Sequence, residues 1–237
     1  MHYWLIMPAA GSGSRFGAPL PKQYAGLLGR TVIEWALAPF LADPRCAGVV
    51  VALAAGDPWW PQVAARLPAA VTTVPGGDQR SGSVLNGLQG LPGRADDRDW
   101  VLVHDAARPC LPPADLARLL DTLGGAATGG LLAAPGADTL KYCPPGAVAE
   151  VERTVDRTGL WRALTPQMFR LGLLRRALQA AQDAGRIPTD ESQALEWTGA
   201  RPQLVEGSAA NIKVTTAQDL VLAAAILAAA ATAATLP

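Results

Sequence analysis

The chain has 237 residues, half of them apolar, and its 20 Lys and Arg residues balance its 20 Asp and Glu residues. This length suits one large domain with a sizeable core, and a zero net charge without basic runs argues against nucleic acid or an anionic membrane surface as the main partner. Three widely separated cysteines and only two histidines indicate neither a disulfide framework nor a transition-metal site.

A glycine-rich loop follows the first predicted strand, Tyr3–Met7, and brings in two cations, Arg15 and Lys22. Gly and Ala leave the backbone N–H groups of such a loop open to an anion, and the two cations can then hold a polyphosphate. The loop lacks the Gly-Lys pair of the Walker A pattern, and Phe16 stands where the dinucleotide fingerprint needs its third glycine. We therefore predict a nucleoside triphosphate site, with an ordinary strand-to-helix turn as the alternative if the loop stood alone.

Short apolar runs alternate with helical stretches along the first half of the chain. Further strands are predicted at Gly48–Leu53, Val71–Val74, Trp100–His104 and Gly130–Ala134. Helices are predicted at Thr31–Phe40, Pro58–Leu67, Ser81–Leu88 and Pro113–Leu123. The strands are apolar on both faces, so the pattern predicts an α/β fold with a doubly wound, mostly parallel sheet. Ligands of such sheets bind beyond the carboxyl ends of the strands, where both the glycine loop and Asp105 fall.

Residues 136–160 interrupt this alternation with two strand-like stretches around the turn residues Pro144, Pro145 and Gly146. The pattern predicts a β-hairpin arm inserted into a single domain that spans residues 1–237. A lone hairpin is only marginally stable in water, so we expect the arm to pack against something else.

The C-terminal stretch Leu220–Leu236 is apolar but consists mostly of alanine. It is shorter than the roughly 20 strongly apolar residues that a membrane span needs, so it predicts a buried or docking helix with a capping box at Thr216–Asp219. No basic segment precedes an apolar stretch at the N-terminus, so no secretory signal is expected. Together these features favour a cytoplasmic protein without a membrane partner.

The opening pattern of residues 8–24 resembles the sugar-nucleotide nucleotidyltransferases, and more narrowly the polyol-phosphate cytidylyltransferases. Seven further segments of that family follow in order, at residues 76–84, 103–109, 138–141, 154–157, 164–167, 189–191 and 211–215. The resemblance implies a Rossmann-like nucleotidyltransferase fold. It also implies transfer of CMP from CTP to 2-C-methyl-D-erythritol 4-phosphate, with release of pyrophosphate, in non-mevalonate isoprenoid synthesis.

The family resemblance also implies how the site is assembled. The arm of one subunit reaches a second subunit in that family and completes its active site, so we expect a homodimer. Arg15 and Lys22 would contact the triphosphate and stabilise the transition state. Arg157, from the neighbouring arm, and Lys213 would hold the acceptor phosphate. Because this chemistry joins two polyanions, fixed positive charge should matter more than a general base, so we interpret His104 as a packed or hydrogen-bonded histidine.

Twelve further residues are expected to bind substrate: Ala9, Ala10, Gly11, Gly13, Gly77, Asp78, Ser83, Asp105, Ala106, Arg108, Thr139 and Thr165. Gly77, Asp78 and Ser83 would form a small pyrimidine pocket, since loop backbone and one hydroxyl supply the donors and acceptors that a cytosine needs. Asp105 would bind Mg²⁺ or another divalent cation, or the substrate hydroxyls; its structural alternative is a helix N-cap.

Three rival functions remain at this point. The same reaction on ribitol 5-phosphate is the nearest, because both acceptors are short phosphate-bearing polyols. A guanylyl- or uridylyltransferase is disfavoured by the segment at residues 76–84. A non-catalytic nucleotide-binding regulatory module is a rival from another class, although such a module would not need cations on the acceptor side.

Overall fold

The computed structural model describes residues 1–11, 16, 20–146 and 149–235. The strands, in chain order, are β1 (Tyr3–Pro8), β2 (Gly26–Leu27), β3 (Arg30–Thr31), β4 (Cys46–Leu53), β5 (Val71–Pro75), β6 (Trp100–Val103), β7 (Gly129–Pro135), β8 (Leu140–Tyr142), β9 (Arg153–Val155), β10 (Trp161–Arg170) and β11 (Gln203–Glu206). The α-helices are α1 (Val32–Leu41), α2 (Trp60–Ala64), α3 (Arg80–Gln89), α4 (Pro113–Leu123), α5 (Leu171–Asp183), α6 (Glu191–Glu196) and α7 (Ala217–Thr235).

Seven strands form the central sheet in the order β11-β7-β10-β6-β1-β4-β5. Strand β10 is antiparallel to both of its neighbours, and the other pairings are parallel. The predicted α/β fold with a mostly parallel sheet is therefore confirmed. From β1 the chain continues to β4 and β5 on one side of β1, and it then returns to form β6 on the other side of β1. The strand order therefore reverses between β1 and β6, and sheets of this kind bind ligands at such a point.

The sheet is buried on both faces because successive side chains of each strand point to opposite sides. On β1, Tyr3, Leu5 and Met7 join a core with α1 and α4. Trp4 and Ile6 face a second core with α3, α5 and α6. The two cores explain why the strands read as continuous apolar runs in the sequence.

The sequence analysis placed no strand at β10 or β11 and no helix at α5. Pro166 stands in the middle of β10, at a register shift between Ala163 and Gln167, and a proline inside a run argues against a strand. The predicted helix at Pro58–Leu67 is also shorter than expected, since α2 spans only Trp60–Ala64. Asp57 Oδ1 accepts from the N–H groups of Trp59 and Trp60, which holds the preceding residues in a turn.

The predicted arm is a β-hairpin in which Leu140 pairs with Val155 and Tyr142 with Arg153. The Gly136 N–H donates to the Leu160 carbonyl over 2.9 Å and closes the base of the arm. The Arg153 guanidinium lies 4.4 Å from the ring centre of Tyr142. This ladder is separate from the central sheet.

At the predicted capping box of α7, the structure shows one half: Asp219 Oδ2 accepts from the Thr216 N–H over 2.7 Å, whereas the Asp219 N–H donates to the Thr216 backbone carbonyl over 3.2 Å. One face of the helix, centred on Ala223, docks on a small core that includes Val32 and Cys110. The opposite face is in solvent, where Val221 is 74% exposed. Among the residues described, no helix is both long and apolar enough to cross a membrane.

The junction of β7 and β11 yields a stability test. A Cβ on Gly130 would lie 2.0 Å from the Gln203 carbonyl oxygen on β11, so Gly130→Ala must push the edge strand away. We expect the free energy of unfolding in urea to fall by about 2 kcal/mol or more. Gly93→Ala is the control, because a Cβ there meets nothing within 4 Å. Equal stability of the two variants would contradict the described pairing.

Candidate active site

A cavity of about 220 Å³ opens at the carboxyl ends of β1 and β6, at the reversal of strand order. Its walls are Pro8, Ala9, Ala10, Gly11, Lys22, Gln23, Gly77, Asp78, Gln79, Arg80, Ser83, Asp105, Ala106, Ala107 and Lys213. The sequence-predicted residues that it brings together are Ala9, Ala10, Gly11, Lys22, Gly77, Asp78, Ser83, Asp105, Ala106 and Lys213. Parallel strands therefore deliver segments that are distant in sequence to one opening.

The start of the glycine-rich loop is fixed to the rest of the fold by backbone and side-chain bonds. The Ala9 N–H donates to the Ala52 carbonyl over 2.8 Å. The amide of Gln23, which is buried, donates to the carbonyls of Ala9 at 2.9 Å and Gly11 at 3.1 Å. Gln23 thus joins the start of the loop to the segment that carries Lys22. The sequence analysis gave Gln23 no role, although it belongs to the opening pattern. The predicted residues Gly13 and Arg15 lie outside the described residues.

The predicted base pocket is a tight turn held by one serine. The Gly77 N–H donates to Ser83 Oγ over 3.0 Å, and Ser83 Oγ in turn donates to the Gln79 carbonyl over 3.2 Å. A Cβ on Gly77 would lie 2.9 Å from the backbone of Gly82, so a larger residue could not take this position without a shift. The turn therefore presents backbone groups to the cavity, while the Asp78 side chain is exposed.

Asp105 lies at the centre of the positive charge in the cavity. Its Oδ1 accepts from Arg80 Nε at 3.0 Å, and its Oδ2 lies 2.8 Å from Lys213 Nζ and 3.6 Å from Arg108 Nε. Burial alone would raise the pKa of Asp105, but the charges of Arg80 and Lys213 outweigh it and hold that pKa well below its usual range. Asp105 is therefore ionised across the physiological range.

Arg80 is a site residue that the sequence analysis missed, together with Glu191. Its guanidinium donates to the two carboxylate oxygens of Glu191 at 2.6 and 3.1 Å. Burial raises the pKa of Glu191, whereas the charge of Arg80 opposes the shift. Both residues belong to segments that resemble the family, at residues 76–84 and 189–191, and a charged side chain in each was the available signal.

A buried hydrogen-bond chain supports Asp105 from below. His104 lies between the Arg108 carbonyl, 3.1 Å from Nε2, and Thr165 Oγ1, 2.9 Å from Nδ1. Because a carbonyl only accepts, we assign the proton to Nε2, so that Thr165 donates to Nδ1. Thr165 Oγ1 then accepts from the Asp105 N–H over 3.1 Å. Burial lowers the pKa of His104 to about 4, so this packed histidine is neutral near pH 7.

Four sequence-predicted residues do not line the cavity of this chain. Thr165 is buried beneath it, and the Arg108 side chain donates to the Asn211 carbonyl over 2.6 Å. Thr139 and Arg157 lie at the base and end of the arm and are exposed. Among the described residues, none of the arm lines this cavity.

The cavity fits a Mg²⁺ ion in part. Asp105 supplies one carboxylate, and Mg²⁺ is commonly held by one or two carboxylates together with substrate phosphates and water. In the described portion of the chain, no group of three His, Cys, Asp or Glu residues could hold a metal ion by itself. A metal here would therefore depend on oxygens from the nucleotide.

Known proteins resemble this chain over nearly its whole length. Residues 3–229 match the family model IspD, 2-C-methyl-D-erythritol 4-phosphate cytidylyltransferase. The protein of that name from Pseudomonas aeruginosa is 53% identical over 222 residues, which are 92% of this chain and 93% of the relative. The one from Pseudomonas fluorescens Pf0-1 is 51% identical over 220 residues, or 92% of each chain.

Solved structures agree with the sequence relatives. The crystal structure of a 4-diphosphocytidyl-2C-methyl-D-erythritol synthase superposes with a TM-score of 0.83 at 40% identity, over 95% of this chain and 98% of that one. A 2-C-methyl-D-erythritol 4-phosphate cytidylyltransferase from Francisella tularensis superposes with a TM-score of 0.81 at 32% identity, over 95% and 100% of the two chains.

The Ser83 contact predicts how the turn of residues 76–79 depends on one hydroxyl. Ser83→Ala removes the acceptor of the Gly77 N–H, and loss of one hydrogen bond should weaken binding of CTP about tenfold. Calorimetric titration measures the change in Kd. Ser81→Ala is the control, since Ser81 is on the same helix but does not line this cavity. Equal affinities of the two variants would show that Ser83 does not shape the nucleotide site.

Proposed function

The chain belongs to the 2-C-methyl-D-erythritol 4-phosphate cytidylyltransferase family, and on that premise we propose how its residues share the reaction. CMP is transferred from CTP to 2-C-methyl-D-erythritol 4-phosphate, and pyrophosphate leaves, in the synthesis of isoprenoid precursors. The observation that carries the assignment is a cavity in which the glycine-rich loop, Lys22, Lys213 and Asp105 meet.

The chemistry is an in-line substitution at phosphorus. An oxygen of the acceptor phosphate forms a bond to the α-phosphorus of CTP, and the bond from that phosphorus to the pyrophosphate oxygen breaks. A phosphate monoester is already a competent nucleophile near neutral pH, so no general base is required. The barrier is mainly electrostatic, and cations placed around the reacting phosphates lower it.

The nucleotide side of the site is built from the glycine-rich loop and the turn of residues 76–79. Lys22 faces the same cavity as these backbone segments, and we assign it, with Arg15, to the triphosphate. The Gly77 turn and Ser83 would receive the cytosine. An arginine fork and a mobile ammonium are complementary ligands for phosphate oxygens, because one fixes geometry and the other follows the charge.

Lys213 serves the acceptor side in this proposal. Its side chain is 42% exposed although its Nζ contacts Asp105, so the ammonium can move from the carboxylate to an incoming phosphate without leaving a buried position. Asp105 would then be open on Oδ2 for a substrate hydroxyl or a Mg²⁺ ion. When bound, that ion would neutralise charge on the nucleotide phosphates.

We further propose a homodimer in which Arg157 of one chain completes the site of the other. Several large apolar residues in and beside the arm are exposed in this chain, which supports a protein partner. More than a third of each of five side chains in and beside the arm is exposed: Leu140, Tyr142, Val151, Leu160 and Trp161. A second copy of the chain offers the same surface, as a symmetric dimer requires.

We propose that the reaction takes place in the cytoplasm. Cys46 and Cys110 form no disulfide within the described residues, and cysteines outside disulfides are usual in a reducing compartment.

Pyrophosphate release tests the substrate assignment. CTP, UTP, GTP and ATP are each combined with 2-C-methyl-D-erythritol 4-phosphate or ribitol 5-phosphate in the presence of Mg²⁺. We expect release only with CTP and 2-C-methyl-D-erythritol 4-phosphate. Release with ribitol 5-phosphate instead would keep the mechanism and change the acceptor. Binding of CTP without release from any pair would indicate a regulatory module.

Mixed dimers test the shared site. Lys22→Ala should lower kcat by orders of magnitude because it removes charge from the transition state, and Arg157→Ala should mainly raise the KM for the acceptor. Each variant alone has two damaged sites. After subunit exchange, one site of a mixed dimer has both native side chains, so activity should recover. No recovery, with mixed dimers shown by native mass spectrometry, would place both residues in one chain.

A further inference from the structure

The reaction scheme gives no role to the ion pair between Arg80 and Glu191. Arg80 opens α3, and Glu191 opens α6. The Glu191 side chain is only 1% exposed, and the two residues meet through two hydrogen bonds. Burying an ion pair costs free energy unless its geometry is good. A buried pair at the edge of a substrate cavity is therefore expected to have a role besides stabilising the fold.

Arg80 contacts two carboxylates, those of Glu191 and Asp105. Its two terminal nitrogens bind Glu191, while Nε binds Asp105 Oδ1 over 3.0 Å. The planar guanidinium can serve both carboxylates because its donors form a rigid fork, which a lysine ammonium cannot reproduce. Arg80 thereby connects Asp105, just after β6, with Glu191, the first residue of α6.

The same residue fixes the base pocket. The turn of residues 77–79 directly precedes Arg80 in the chain, and it lines the same cavity. A shift of Arg80 would therefore move the turn relative to Asp105. Arg80, together with the Ser83 bonds within the turn, therefore sets where the turn lies relative to Asp105.

Arg80 is bonded to carboxylates through all three of its side-chain nitrogens, which uses three of its five N–H groups. Glu191 already neutralises its guanidinium, which lowers its net attraction for a phosphate. The two oxygens of Asp105 have different partners: Oδ1 accepts from Arg80, and Oδ2 lies near Lys213 and Arg108. If Lys213 moves to a substrate, the 3.0 Å bond from Arg80 still holds Oδ1 of Asp105, and Arg108 Nε remains 3.6 Å from Oδ2.

We propose that Arg80, held in place by Glu191, is a positioning residue for cytidylyl transfer. It keeps the Asp105 carboxylate aligned with the base-pocket turn while Lys213 exchanges its contact with Asp105 for the acceptor phosphate. This role rests on the proposed function, because it acts through the substrates of that reaction. A misplacement of about 1 Å at such a site costs on the order of a hundredfold in rate.

Steady-state kinetics of Arg80→Lys and Glu191→Gln test this role. We expect Arg80→Lys to lower kcat about a hundredfold and to change the KM for CTP less than about threefold, because the contacts to the base remain. Glu191→Gln keeps the shape of its side chain and should lower kcat about tenfold. In the double variant kcat should fall no further than in Arg80→Lys, since both changes break one unit.

The pair formed by Arg66 and Glu34 provides a matched control. Arg66 also donates to both oxygens of a largely buried glutamate, at 2.7 and 2.9 Å, but it does not line the cavity. Arg66→Lys should lower the thermal midpoint and leave kcat per folded molecule unchanged. The same assay of the wild type with CTP and 2-C-methyl-D-erythritol 4-phosphate tests the proposed function separately.

Three results would overturn the positioning role. The first is an Arg80→Lys variant that loses activity only in proportion to its unfolded fraction, as the control does. The second is an unchanged kcat with a strongly raised KM for CTP, which would make Arg80 a nucleotide ligand. The third is a double variant whose losses multiply. No turnover by the wild type would instead refute the proposed function, and the positioning role with it.

Discussion

One buried carboxylate organises the active site. Asp105 ends up at the carboxyl edge of the sheet with only 9% of its side chain exposed, and a charge in such a place must be paired. Three cations supply the pairing: Arg108, three residues further along the chain, and Arg80 and Lys213, which are distant in sequence. In the proposed reaction, Lys213 leaves Asp105 for the acceptor phosphate, whereas Arg80 and Arg108 stay beside the carboxylate. The same ion pairs would thus stabilise the fold and keep one mobile positive charge next to the reacting phosphates.

The sheet decides where this carboxylate lies. Strands β1 and β6 are neighbours, with β4 and β5 on the far side of β1 and β10, β7 and β11 on the far side of β6. The gap at their carboxyl ends receives the glycine-rich loop from β1 and Asp105 from the segment after β6. Two cores, one on each face, hold the strands rigid, so that loops above the edge can be irregular without losing position. Beneath the edge, the bonds of His104 and Thr165 fix the backbone of Asp105.

The arm shows the opposite design. Among its described residues, the two strands pair with each other and not with the central sheet, and several apolar side chains are exposed. Arg157 on the arm lies away from the cavity that contains Lys22 and Lys213. If the site needs Arg157 from a second subunit, the activity depends on formation of the dimer. The proposed dimer explains two observations at once. The exposed apolar residues of the arm would be covered by the second subunit, and Arg157, which does not line the cavity of its own chain, would reach the cavity of the other.

The sequence by itself determined the class of fold and the kinds of charge in the site. Apolar runs on both strand faces specify a covered, mostly parallel sheet, and the glycine-rich loop with Lys22 specifies an anion site, because these are local properties of the chain. The tertiary structure alone decided which charges meet. Arg80 and Glu191 are 111 residues apart, and Thr165 reaches His104 across 61 residues. No local pattern encodes such pairs, since they exist only after packing of the helices on the sheet brings α3, α6 and β10 to the same edge.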